Sequence, residues 1–160
     1  MELSPNARLS QNKLKSMPVL AYNKRANFDY EIAGKIEAGL VLLGHEVKSI
    51  KTRHISLRGA YVTIKKGKKA LPELFLINAH IPLYKKAGTI KDYNPTRPRK
   101  LLIHKSQIKH LIGKKKEAGL TLVPIKIYTK HSLIKLEFGI GRGKKKYDKR
   151  EAIKKRETDR

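Results

Sequence analysis

The chain has 160 residues, 38 Lys or Arg against 13 Asp or Glu, a formal charge of +25 and no cysteine. This length suits one domain with a real core, and a charge so far from neutral calls for a polyanionic partner. The missing thiols exclude disulfides, thiolate metal sites and thiol nucleophiles, and fit a reducing compartment.

The chain opens with MELSPNARLSQNKLKSMPVL, a mixed polar stretch without periodicity and without the apolar run of a signal peptide. It reads as a mobile arm over residues 1–20. In NFDYEIA, Phe28, Tyr30 and Ile32 alternate with polar residues and predict a strand; Ile32 and Ile36, four apart, suit a short helix instead. Gly39 is expected to break this segment. Leu40 to Ile50, LVLLGHEVKSI, is rich in strand formers and predicts a strand bent at Gly44. Ala60 to Lys66 alternates again, GKKALP forms a loop, and Glu73 to Ile81 returns as the hairpin partner. Pro82 to Lys100 is rich in Pro, Gly, Asn and Lys and reads as a long exposed loop.

SQIKHLIGKKKEAG is the clearest helix. Ser106 is the expected N-cap, Ile108, Leu111 and Ile112 form one stripe, and Gly119 suits the position after the C-cap. LTLVPIKIYTK and SLIKLEFGI are two strands joined near His131, with Pro124 marking an edge or a bulge. Many short strands with a few helices predict a mainly β fold: a small antiparallel barrel over residues 21–140.

The last twenty residues, GRGKKKYDKREAIKKRETDR, carry a net +6 and residues 1–20 a net +2, which leaves +17 on the barrel. The barrel is therefore expected to bind a polyanion by itself. No run approaches the roughly 20 apolar residues of a membrane span, and there is no basic amphipathic helix with an aromatic face. Nucleic acid is the leading partner and no membrane role is expected. A helix over the basic tail, residues 141–160, would have no apolar face, and pairs such as Glu151 with Lys155 add only a few tenths of a kcal/mol each. The tail is expected to be disordered when free and to fold on RNA.

The six histidines never fall three or four apart, and no phosphate-loop spacing occurs, so neither a metal site nor a cofactor is expected. Glu37 reads equally as a strand-edge carboxylate or a functional one. Arg97, Arg99 and Lys100 sit on a segment stiffened by Pro95 and Pro98, which suits phosphate contacts. Lys24 and Arg25 lie near Phe28, as a basic pair beside a stacking ring would.

Seven stretches occur in order between Asn23 and Glu151: NKRA, EAGLVLLGHEVKSI, AYV, INAHI, PTRPRKLL, IGKKKEAGLTLVPIKIY and GRGKKKYDKRE. Together they resemble the SsrA-binding protein (SmpB) family, the protein partner of transfer-messenger RNA (tmRNA). The resemblance implies an OB-like barrel with about three flanking short helices. It implies an RNA-binding adaptor, not an enzyme, acting in the cytoplasm. Such an adaptor binds the tRNA-like domain of tmRNA and brings it, with elongation factor Tu and GTP, to stalled 70S ribosomes for trans-translation. RNA-contacting positions then fall on Asn23, Lys24, Arg25, Glu37, Arg97, Arg99, Lys100, Leu102 and Lys135. Those of the tail, which enters the decoding centre of 16S rRNA and the empty mRNA channel as a helix, fall on Gly143, Lys144, Lys145, Tyr147, Asp148, Lys149 and Arg150. The KKGKKALPE loop is longer than is usual in that family. A monomer is the default for an adaptor, and the alternative reading is a general RNA-binding ribosomal or ribosome-assembly protein.

Overall fold

The computed structural model describes residues 17–117 and 119–160; the first sixteen residues of the expected arm lie outside them. Seven strands run β1 (Val19–Tyr22), β2 (Tyr30–Leu40), β3 (Tyr61–Lys66), β4 (Pro72–Ile77), β5 (Arg99–Leu102), β6 (Leu120–Lys130) and β7 (Leu133–Gly143). The helices are α1 (Ala26–Asp29), α2 (Gly44–Lys51), α3 (Lys105–Lys115) and α4 (Lys146–Thr158).

All pairings are antiparallel, in the order β1-β6-β3-β4-β5-β2-β7, and β6 also pairs with β7. That last pairing closes six strands into a barrel and, among the described residues, leaves β1 as the edge. The alternation in β7 explains the closure: Ile134, Leu136 and Phe138 point inward, while Leu133, Lys135 and Glu137 face out. The interior is filled by Leu74, Leu76, Ile127, Leu136 and Phe138, and Ile50 from α2 and Leu111 from α3 are buried in the same core. Each such side chain contributes about 1.5–3 kcal/mol of burial. Gly139 permits the close approach of β2 and β7, since a Cβ there would lie 2.6 Å from Ile32 Cγ2.

Several boundaries differ from expectation. The sheet already begins at Val19, because the last residues of the expected arm pair with β6. Tyr30 opens a strand right after the single turn of α1, so NFDYEIA divides between helix and strand. Ile32 and Ile36 are four apart, a spacing that also keeps one face of a strand. Gly39 stays inside β2, paired with Leu102 on one side and Lys135 on the other.

The largest correction concerns Leu40 to Ile50. The segment is helix from Gly44, not a bent strand. Leu43 is extended, and Glu46 at N3 accepts its N–H at 2.9 Å, which satisfies a helix-start donor. An acid in the first turn with Lys48 and Lys51 in the last suits the helix dipole. α3 likewise begins two residues early: His104 is the N-cap and Gln107 accepts its N–H at 3.3 Å, while Ser106 is already helical. The β6–β7 turn places His131 and Ser132 at φ 50 and 63, the twist that a two-residue hairpin needs. Pro124 marks a bulge, with the register shifting between it and Lys126.

Candidate nucleic-acid interface

One row of residues crosses the outer face of four strands. Leu102 on β5 pairs with Gly39 on β2, Gly39 with Lys135 on β7, and Lys135 with Tyr128 on β6. Glu37 lies two residues along β2, on the same face. The barrel thus brings together Glu37, Leu102 and Lys135, which are far apart in the chain. Leu102 is 55% exposed, a large apolar side chain held in water. Gly39 leaves a shallow dip beside it, since a Cβ there would lie 3.3 Å from Leu102 Cβ.

Glu37 is held as an anion. The Tyr128 hydroxyl donates to its Oε2, and Lys130 Nζ donates at 3.3 Å. The Tyr128 hydrogen bond is the main cause that lowers its pKa, opposed by partial burial and aided by the charges of Lys130 and Lys135. The same contact pushes the Tyr128 phenol up, after the larger effect of burial. A fixed carboxylate repels phosphate but accepts from base amino groups and 2′-hydroxyls. Lys135 beside it carries a positive charge on the same face. Tyr128→Phe is expected to move the Glu37 pKa back up toward the ordinary carboxylate range, which a carboxyl-carbon NMR titration measures; an unmoved Glu37 would show that the phenol does not hold it.

Within the Pro-stiffened basic segment, Arg99 has a different role from the one expected of it. Arg99 is fully buried. Its guanidinium donates to Glu46 Oε1 at 2.9 and 3.1 Å, to Ala79 O at 2.7 Å and to Pro95 O at 2.9 Å. Arg99 is therefore a strut, unable to touch RNA. Arg97, half-buried, donates to both oxygens of Glu46, at 2.8 and 2.5 Å. Tyr93 ties the loop down, its hydroxyl donating to Ile81 O at 2.7 Å. Lys100 is partly exposed and bonded to Glu73 at 2.7 Å.

At the other end of the barrel, Asn23 is a fastener. Its Nδ2 donates to Pro124 O at 2.9 Å, and its backbone N–H donates to Ile125 O at 2.7 Å. Lys24 is exposed, and Arg25 pairs with Asp29 at 3.3 Å across one helical turn.

The basic tail forms a helix here. β7 runs on to Gly143, which pairs with Tyr30. Lys144 then clamps α1: its N–H donates to Asp29 O and its Nζ to Asn27 O, both at 2.8 Å. Asp148 caps α4 by accepting the Lys145 N–H at 3.2 Å. Lys149 reaches Asp29 at 3.0 Å, and Arg156 lies 5.6 Å above the Phe28 ring. Contacts within the tail alone would not hold this helix; its partner face comes from α1, more than a hundred residues earlier. Tyr147, 69% exposed, and Arg150 point away from the barrel. Asp29→Ala is expected to speed amide exchange across residues 146–158 in the free chain, read by hydrogen–deuterium mass spectrometry; unchanged exchange would mean that Asp29 does not anchor the tail.

The SmpB protein family profile matches residues 20–160. An SsrA-binding protein of Lactobacillus delbrueckii subsp. bulgaricus is 45% identical over 94% of both chains. That of Thermosipho africanus is 47% identical over 90% of this chain and 93% of its own. This chain belongs to the SmpB family. A solved structure from a study of tmRNA-SmpB at the centre of the bacterial ribosome superposes with a TM-score of 0.64, at 40% identity over 85% of this chain and 94% of that one.

Three residues that hold the candidate site in place escaped sequence reasoning. Tyr128 and Lys130 hold Glu37 from 91 and 93 residues away, and Glu46 holds Arg97 and Arg99 from 51 and 53. The one local signal was the acid of GHEV, three residues after Leu43, in the spacing of a helix start. Among the described residues, no three His, Asp or Glu side chains are placed to hold a metal ion.

Proposed function

We propose that this chain is a non-enzymatic RNA-binding adaptor of trans-translation, working as a monomer in the cytoplasm. It binds the tRNA-like domain of tmRNA and delivers it to stalled 70S ribosomes, indirectly with elongation factor Tu and GTP. The observation that carries this reading is the row on the outer face. Glu37, Leu102 and Lys135 offer a fixed acceptor, an apolar shelf and a cation within one surface, the three chemistries that unpaired RNA needs. Lys100 beside this row, and Lys24 and Arg25 at the other end of the barrel, add phosphate contacts. Arg99 acts behind this surface by fixing the loop that carries Arg97.

The tail supplies the ribosome contact. Gly143, Lys144, Lys145, Tyr147, Asp148, Lys149 and Arg150 form its proximal part, which enters the decoding centre along 16S rRNA. Tyr147 is presented for stacking on a base, and Asp148 keeps the helix start capped.

Filter binding of the full chain to the tRNA-like fragment of tmRNA, with excess ordinary tRNA as competitor, tests the reading. Clear preference for the fragment is expected. Equal binding would reduce the protein to a general basic RNA binder, because phosphate attraction is independent of sequence.

A further inference from the structure

The β3–β4 hairpin tip and the start of α3 face each other across a cleft of about 320 Å³. Leu71, Leu102, Ile103 and Ile108 line it, and Lys105 and Lys109 stand with them. Leu71 is 52% exposed. The tip holds it there: the Gly67 N–H donates to Leu71 O at 2.7 Å, and the Ala70 N–H donates to Gly67 O at 3.0 Å, with Ala70 left-handed at φ 57. Two half-exposed leucines facing one cleft form an apolar surface without a partner among the described residues.

The charge around this surface is one-sided. Glu73 is the acid in the lining, and Lys100 neutralises it at 2.7 Å. Lys105 and Lys109 have no carboxylate partner among the described residues. Lys68 and Lys69 are exposed on the tip itself.

We propose that this cleft seats one unstacked RNA base, with its flanking phosphates on Lys105 and Lys109. A base is a flat apolar plate with an anion on either side, and it uses both features of the site. An apolar peptide would leave the lysines uncompensated, and a free phosphate would leave the leucines in water. The cleft shares Leu102 with the outer row, so the seated base lies next to the nucleotides contacted by Glu37 and Lys135. In that respect the inference rests on the RNA-binding reading above.

The test measures binding of the full chain to the tRNA-like fragment and to ordinary tRNA between 50 and 200 mM salt (about the range where phosphate contacts dominate the dependence). Leu71→Ala removes no charge and no buried contact of the core. It is expected to keep the melting temperature and to bind the fragment roughly five- to tenfold more weakly, with an unchanged salt slope. Lys109→Ala is expected to lower that slope by about 0.7–0.9, one phosphate's share. If Leu71→Ala binds as wild type does while the wild type still prefers the fragment, the cleft proposal fails and the adaptor reading stands. If Leu71→Ala weakens both RNAs alike and the wild type shows no preference, the base seat stands and the tmRNA reading fails.

Discussion

Glu46→Ala is expected to cost about 3–5 kcal/mol of folding stability, the usual result of breaking a buried ion pair from one side. Glu46 and Arg99 are both fully buried and pair at 2.9 Å. Removing the carboxylate leaves a guanidinium that cannot titrate, with only neutral partners, the Ala79, Pro95 and Arg97 carbonyls and the Tyr93 hydroxyl, and frees Arg97 as well. Domains have only about 5–15 kcal/mol in total, so a fall in melting temperature of roughly 10 °C or more should follow. Glu46→Gln keeps the acceptor oxygen and should lie between the two. Thermal unfolding of the three chains checks the order; a Glu46→Ala chain as stable as wild type would show that Arg99 is solvated by other means.

The same network sets the acid limit. Burial alone would raise the Glu46 pKa, but the Arg97 hydrogen bond, the Leu43 N–H and the Arg99 charge outweigh it and hold the group down to about 2. A carboxylate depressed in the folded state stabilises that state fully above its unfolded pKa, about 4.3. That contribution is lost as pH falls from there toward the folded value. Wild type should therefore lose stability steeply between about pH 4 and pH 2, and Glu46→Gln should lose less across that window.

This network also shows where the sequence stopped being readable. Alternation identified β3, because its inward face, Val62 and Ile64, is apolar at every second residue, a local property. The helix at Gly44–Lys51 was hidden because its buried face is Glu46, Ser49 and Ile50. An acid reads as surface until the arginine it meets, 53 residues on, is known. Arg99 was misread for the reciprocal reason. Glu37 was singled out by family resemblance; its phenol and lysine partners on β6 become neighbours only when β7 closes the barrel between them. The tail resisted in the same way, since the contacts that dock α4 belong to Asn27, Phe28 and Asp29.

A chain ending at Gly143 is expected to bind the tRNA-like fragment within about tenfold of the full chain and to support no tagging on stalled ribosomes. The cut belongs after Gly143 because β7 extends that far and pairs with Tyr30; ending at Ile140 would unpair the start of β2 and confuse binding with folding. Residues 144–160 hold nine basic and four acidic side chains, so most of the +25 remains on the truncated chain. Stability should barely change, since the Lys149–Asp29 pair is a partly exposed one of the kind worth about 0–1 kcal/mol. Glu37, Leu102 and Lys135 stay in place, and with them the surface proposed for the specific part of the RNA contact. Loss of fragment binding would mean that the tail, not the barrel, holds the RNA. A second chain with residues 144–160 in shuffled order separates charge from shape. It keeps the counterion release that lysines supply, but loses the Asp148 cap and the placement of Tyr147. Fragment binding equal to wild type with tagging still absent would assign the tail's work to its helix; restored tagging would assign it to charge alone.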